Sequence, residues 1–255
     1  MANQVERVRL PVLESGFGKT LRKDAWWAGP ALTFSILSAF LVYATFRAFE
    51  NNFYEWGSYL SPFYSPFIPT KGLPLPLLTP ALLILPGPAT FRLTCYYYRK
   101  AYYRSFAMDP PACAVGERSA HRYNGETKLL IFQNLHRFAL YLAIVFLVFL
   151  WSDFVKSLFW TDGFHVGVGS LVILTNCTLL SLYTFSCHSF RHLVGGGLNT
   201  YSGAWGALRY QVWKLVSRGN ERHMQFAWVS LFGVALTDFY VRSVASGALA
   251  DVRLF

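Results

Sequence analysis

Long apolar runs broken by short basic or aromatic segments set the layout of this chain. A helix needs about 20 apolar residues to cross the core of a bilayer. Five stretches approach that length: Trp27–Phe46, Leu73–Tyr97, Leu129–Trp151, Phe164–Ser186 and Phe226–Ala248. Leu129–Trp151 is the cleanest. Leu73–Tyr97 contains Pro74, Pro76, Pro80, Pro86 and Pro88, and interior prolines remove hydrogen bonds and kink helices. Neighbouring protein can re-satisfy the backbone exposed by such breaks. The pattern predicts an all-α polytopic membrane protein: a bundle of five transmembrane helices forming one domain over residues 1–255. Residues 1–26 precede the first span. They are polar and mixed in charge, without the apolar core of a secretory leader.

The segments between the spans orient the bundle. The N-terminal segment and the links between spans two and three and between spans four and five, together with Arg92 near the end of span two, hold 17 of the 23 Lys and Arg residues. Basic residues favour the cytoplasmic side, so the N-terminus is expected inside and the C-terminus outside, as an odd number of spans requires. On the outer side, Phe53, Tyr54, Trp56, Tyr59, Phe63, Tyr64 and Phe67 read as an interfacial belt along the membrane surface. Gly163 and Gly167 have the small-xxx-small spacing that allows close helix contact at the start of span four.

Composition agrees with this reading. The 255 residues are 54% hydrophobic and only 14% charged, whereas soluble domains carry about 25% charge. The net charge of +10 would suit a nucleic-acid binder. No such motif is present, and the basic residues lie where topology puts them, so no nucleic-acid partner is expected. The four cysteines do not form the spacing pattern of a secreted disulfide framework.

Ionisable and metal-binding residues gather at the cytoplasmic ends of the spans. Cys95 ends the second span and Cys113 follows in the loop. His136-Arg137 enters the third span, and His223 starts the fifth. The stretch Ser186-Cys187-His188-Ser189-Phe190-Arg191-His192 closes the fourth, just before Gly195-Gly196-Gly197. If helical, it pairs Cys187 with Arg191 and His188 with His192 on shared faces. Polar groups at membrane depth are costly and mark pathways for ions, protons or electrons. The collection suggests one redox metal centre, its ligands drawn from Cys95, Cys113, Cys187, His136, His188 and His192, with fewer than all six used.

Two forms of that centre compete. A b-type haem would take His136 with His188 or His192 as axial ligands. A [2Fe-2S] cluster of Rieske type would take two cysteines and two histidines. The close Cys–His spacing usual for Rieske centres is absent, so its ligands would come from several segments. Nearby, Tyr96, Tyr97, Tyr98, Arg99, Tyr102, Tyr103 and Arg104 cluster in sequence. With Arg137 and Arg191 they could line a pocket for a quinone head group, which needs apolar walls and a few donors to its carbonyl oxygens. Tyr97, Arg137 and Arg191 are the quinone-binding candidates. Asp238 and Arg242, at i and i+4, are expected to form a structural ion pair near the outer surface.

Six motifs together resemble the membrane-anchor subunit of succinate dehydrogenase: Thr94-Cys95-Tyr96-Tyr97-Tyr98-Arg99-Lys100-Ala101-Tyr102-Tyr103-Arg104, Pro110-Pro111-Ala112-Cys113, Gly125-Glu126-Thr127, Asn134-Leu135-His136-Arg137, Cys187-His188-Ser189-Phe190-Arg191-His192 and His223-Met224-Gln225. The resemblance is to the class with a single five-span anchor, often labelled a cytochrome b subunit, and covers Thr94 to Tyr240. It implies a multi-pass protein of the cell membrane. A flavoprotein subunit would oxidise succinate, and an iron–sulfur subunit would pass the electrons to this chain, which would present menaquinone. Two-haem members place four axial histidines on the first, second, fourth and fifth spans. Here the first two spans hold no histidine and the outer side offers only His165. That leaves at most one centre, near the cytoplasmic side. The dehydrogenation itself is not expected in this chain, which has no nucleotide-binding glycine-rich motif. Two other readings remain: a transporter with Asn176, Asp238 and Arg242 on its path, and a cofactor-free scaffold that seats a soluble enzyme.

Overall fold

A computed structural model of the chain describes residues 10–14, 16–70, 78–110, 116–119, 134–197 and 199–255. Nine α-helices are present among these residues, besides a single 3-10 turn at Pro62–Tyr64: α1 (Ala28–Glu50), α2 (Pro80–Ile84), α3 (Pro86–Thr94), α4 (Tyr96–Phe106), α5 (His136–Lys156), α6 (Val168–Phe185), α7 (His188–Gly195), α8 (Ala204–Glu221) and α9 (His223–Ala245). The strands are two-residue pairs. Contacts divide the chain into two compact units, one of Met1–Leu41 with Cys95–Gln133 and the other of Val42–Thr94 with Asn134–Phe255.

Among the described residues four helices are long and apolar enough to cross a membrane: α1, α5, α6 and α9. They correspond to the first, third, fourth and fifth expected spans. The second expected span is not one continuous helix. Its residues 73–77 lie outside the described residues, and the remainder is divided between α2 and α3, with Cys95 non-helical before α4. The prolines explain the division. Thr79 caps α2, accepting from the Leu82 N–H at 3.3 Å. Pro86 and Pro88 have no N–H to give to the carbonyls of Leu82 and Ile84, so the ladder lapses for a turn. It resumes at Ala89, whose N–H reaches Leu85 O at 2.9 Å.

In the larger unit α5 packs on α3 and α6, and α6 packs on α9. Each helix is apolar all round but buries one stripe. In α5 the stripe is Ala139, Leu140, Ala143 and Leu147; in α9 it is Ala227, Ser230, Leu231, Thr237, Asp238 and Val241. The small residues let helix backbones approach closely, which is how helices associate in lipid. Phe138, Val145 and Val148 of α5 lie outside the buried stripe and are exposed. The short helices α7 and α8 pack on each other as a hairpin beyond the end of α6. Gly195 is required there, because a Cβ at that position would overlap the Trp213 ring.

One end of the unit is closed by the hairpins Glu55–Trp56/Tyr59–Leu60 and Phe159–Trp160/Gly163–Phe164. The aromatic segment does not simply lie along the membrane surface as expected. Tyr59, Phe63 and Tyr64 are buried, while Phe53, Trp56 and Phe67 are exposed. Tyr59 donates to Asp251 at 2.8 Å, and burial pushes its phenol up to about 12, so it stays a neutral donor. The glycines also serve a different purpose from the helix contact expected of them. Gly163 holds a hairpin turn at φ 129. A Cβ at Gly167 or Gly169 would overlap Tyr59, so these two glycines seat its ring.

The same end holds the expected ion pair. Arg242 Nε lies 3.0 Å from both Asp238 carboxylate oxygens. Arg242 Nη1 donates to Glu50 at 2.9 Å and to the Asn52 carbonyl, and Nη2 to the Arg47 carbonyl at 3.2 Å. Asp238 also accepts from Tyr43 at 2.7 Å and from Ser61.

In the smaller unit Val12–Leu13 pairs in parallel with Arg118–Ser119, and Thr20 donates to Glu117. Phe34 of α1 meets Phe106 of α4 edge to face, with centroids 4.9 Å apart. Tyr98 stacks on Tyr102 along α4.

Candidate functional site

The opposite end of the larger unit collects imidazoles, a thiol and aromatic rings. It lies where α3, α5 and α6 meet the start of α9. The decisive local feature is a turn in the chain. Helix α6 stops at Phe185, and Cys187 takes an extended conformation (φ −62, ψ 144) as the N-cap of α7. The expected continuous helix through Ser186–His192 is therefore two helices, and Cys187 does not share a helix face with Arg191. The turn directs the sulfur at α5: Cys187 Sγ lies 3.0 Å from His136 Nε2. The backbone N–H of Ser189 also points at the sulfur, at 3.4 Å.

Hydrogen bonding assigns the His136 tautomer. Thr94 Oγ1 donates its one proton to the Thr90 carbonyl at 2.7 Å. At the 2.9 Å contact with His136 Nδ1 the hydroxyl must then accept, so Nδ1 carries the proton. Nε2 is left with its lone pair facing the thiol. This is the arrangement of a metal-binding histidine, whose second nitrogen donates to a fixing partner.

His223 repeats the pattern. Ser186 Oγ donates to the Tyr183 carbonyl at 3.2 Å and accepts from His223 Nδ1 at 2.8 Å. Nε2 of His223 is again the acceptor nitrogen. Stacked rings link the two histidines: Phe91 lies on His136 with centroids 4.7 Å apart, Tyr183 lies on His223 at 5.1 Å, and Phe91 meets Tyr183 edge-on at 5.3 Å. Arg92 lies over the Tyr183 ring, its guanidinium carbon 4.6 Å from the centroid. It donates to the Ala227 carbonyl at 3.2 Å and to Ser230 at 3.0 Å.

The sequence candidates separate accordingly. His136 and Cys187 are buried and in contact. His188 and His192 lie on α7 with exposed side chains. Cys95 is buried at the break between α3 and α4. Cys113 lies outside the described residues. Arg137 is exposed and Tyr97 is half-buried on α4. Arg191 packs over Trp213, 4.6 Å from its centroid, and donates to Ser217 at 2.8 Å. Among the described residues no group of three or more His, Cys, Asp or Glu side chains is placed to hold a metal ion. A cavity of about 490 Å³ opens at the far end of the unit, beside Tyr59, Phe67, Asp153 and Lys156, and none of the quinone candidates lines it.

His223 was legible in the sequence as the first residue of a span, yet nothing local marks it as a neighbour of His136. Arg92 read only as a basic residue at a span end. Both roles come from helix packing.

Comparison with known proteins decides the family. Residues 28–247 match the family described as actinobacterial succinate dehydrogenase subunit SdhC. The chain belongs to that SdhC family. A solved structure described as "Mycobacterium smegmatis Sdh1 complex in the apo form" contains a chain of the same fold, with a TM-score of 0.83 and 44% identity over 92% of this chain and 94% of that one. No curated protein matches the sequence. As an SdhC with several apolar helices, the chain is a succinate dehydrogenase membrane-anchor subunit and a multi-pass protein of the bacterial plasma membrane. The transporter reading loses its support. Asp238 and Arg242 are the paired core of one end of the SdhC fold, not an open path.

Proposed function

We propose that this SdhC seats the flavoprotein and iron–sulfur subunits of succinate dehydrogenase on its basic cytoplasmic face and relays their electrons to menaquinone through a metal centre at the His136–Cys187 end. The 3.0 Å approach of His136 Nε2 to Cys187 Sγ carries this reading. It joins a nitrogen and a sulfur donor from segments 51 residues apart, with the imidazole already fixed in the ligating tautomer.

The donor chemistry favours the iron–sulfur form over haem. A haem needs two imidazoles facing each other across the porphyrin plane. His136 has the Cys187 thiol, not a second imidazole, at 3.0 Å on its acceptor side. A nitrogen and a sulfur donor side by side suit mixed Cys/His ligation of Rieske type. A [2Fe-2S] cluster bound there would take up and release one electron at a time. The Ser189 N–H would donate to the Cys187 thiolate, Thr94 would hold the His136 ring, and Phe91 and Tyr183 would keep water away. Cys95 and Cys113 remain candidates for a further thiolate from the sequence. Tyr97, Arg137 and Arg191 remain the quinone-binding candidates, as donors to carbonyl oxygens.

The test is the spectrum of the purified membrane complex in oxidised and reduced states, with iron, acid-labile sulfide and haem counted. A Rieske-like paramagnetic signal, lost in Cys187→Ser and in His136→Ala while the complex still assembles, is the expected result. Sharp reduced haem bands would restore the haem version. Neither signal would reduce the chain to a scaffold that binds quinone at most. Serine substitutions at Cys95 and Cys113 then show which other thiol the centre uses.

A further inference from the structure

Helix α8 carries an apolar face that the described residues leave uncovered. Trp205, Leu208, Val212 and Leu215 are 71%, 53%, 37% and 67% exposed. Their spacing puts them on one side of the helix, over about 15 Å. A different side holds α8 on α7. There Gly206 and Val216 are buried, Trp213 lies under the Arg191 guanidinium, and Arg209 donates to the Val194 and Gly196 carbonyls at 2.8 and 3.0 Å.

The helix is also held at the level where the spans end. Asn220 Nδ2 donates to the Ser186 carbonyl at 2.8 Å, directly after α6, and Ser217 accepts from Arg191 at 2.8 Å. Arg222 alone separates α8 from α9, one of the helices able to cross a membrane. The exposed cations Arg218 and Arg222 follow Leu215 by three and seven positions, along the edge of the apolar face. A Trp-bearing apolar stripe edged by basic residues is the make-up of a helix that lies in the boundary between headgroups and acyl chains.

We propose that α8 lies in the membrane surface, its Trp205, Leu208, Val212 and Leu215 face among the acyl chains and Arg218 and Arg222 on the phosphates of anionic lipid. The inference rests on the membrane-anchor family and not on the metal centre. If α8 stood clear of the bilayer, four large apolar side chains would meet water, which the hydrophobic effect opposes. Basic side chains next to the surface are attracted by anionic headgroups, so the charge selects the lipid.

The experiment uses the purified complex in lipid nanodiscs, with spin labels on single cysteines from Leu208→Cys, Leu215→Cys, Ala207→Cys and Glu221→Cys, and the wild-type complex as background. All four residues are exposed, so the labels need no repacking; Ala207 and Glu221 are turned away from the stripe. Collisions with oxygen, which dissolves in acyl chains, are compared with collisions with a water-soluble nickel chelate. With phosphatidylglycerol present, the oxygen-to-nickel ratio should be several-fold higher at Leu208 and Leu215 than at Ala207 and Glu221. In phosphatidylcholine alone, or with Arg218→Gln and Arg222→Gln added, that contrast should shrink. High nickel access at Leu208 and Leu215 in phosphatidylglycerol puts the face in water and overturns the inference. Low access to both reagents puts it under a soluble subunit of the complex and overturns it equally. A contrast unchanged in phosphatidylcholine overturns the part given to Arg218 and Arg222.

Discussion

The two ends of the larger unit bury polar side chains in opposite ways. At the Asp238 end the buried ions Asp238 and Arg242 are matched to each other and to further partners. Asp238 takes donors from Arg242, Tyr43 and Ser61, while Arg242 also reaches Glu50 and two backbone carbonyls. At the His136 end the buried groups are neutral donors of electron pairs, two imidazoles and a thiol, held by hydroxyls and stacked rings. Matched ions buried in a bundle lock helices in register and leave no valence for a ligand. At the other end the groups are nitrogen and sulfur donors, and His136 Nε2 meets Cys187 Sγ at 3.0 Å. Burial of polar groups alone therefore does not separate a structural cluster from a functional one. What separates them is the chemistry of the groups: paired ions at one end, imidazoles and a thiol at the other.

That contrast can be broken most severely at Asp238. Asp238→Asn leaves Arg242 buried against a neutral partner, and losing one member of a buried pair costs about 3–5 kcal/mol. Thermal unfolding in detergent should show a large loss of stability, while the spectrum of whatever folds stays that of the wild type. A changed spectrum would mean that the two ends are coupled. Gly169→Val drives a side chain into the Tyr59 ring, and overpacking of this kind costs about 1–3 kcal/mol. It should again lower stability without altering the centre.

The converse is expected of Thr94→Val. Losing one buried hydrogen bond costs about 1 kcal/mol. The freed His136 ring should nevertheless lower iron retention by about 10–100-fold, as outer-sphere substitutions do. Retained iron in this variant would sink the tautomer assignment.

The smallest effect belongs to the exposed hairpin at the Asp238 end. His165 Nε2 lies 2.7 Å from an Asp162 carboxylate oxygen, and the nearby imidazole holds the Asp162 carboxyl below the usual carboxylate range. A carboxyl lowered by folding adds stability that is complete above its unfolded value of about 3.9 and is lost as pH falls through the lower folded value. Asp162→Asn should remove that small contribution at neutral pH and, with it, the acid-side slope that Asp162 gives the stability profile.

Several features were legible in the chain itself. The apolar runs located α1, α5, α6 and α9, though the expected start of the third span lies seven residues before α5, because a span is recognised by local composition and length. The i, i+4 spacing of Asp238 and Arg242 announced their pairing, because a helix brings such residues together whatever surrounds it. The prolines warned of the broken second span for the same local reason. The motifs around His136 and Cys187 pointed to the right family.

Tertiary structure decided the rest. Tyr59, Phe63 and Tyr64 looked like a surface belt, yet they pack under the end of the bundle because glycines at 167 and 169 and the Asp251 carboxylate receive Tyr59. Cys187 looked like one position on a continuous helix face, and a single extended residue turned its sulfur onto α5. Whether His136 meets Cys187, and whether Arg92 and His223 share a ring stack, depends on how four helices rotate against one another. Residue spacing cannot state those rotations, since they follow from which small side chains allow close approach across helices distant in sequence. The sequence by itself determined a membrane-spanning helical anchor and the residues able to serve it. Packing determined which of them share a site.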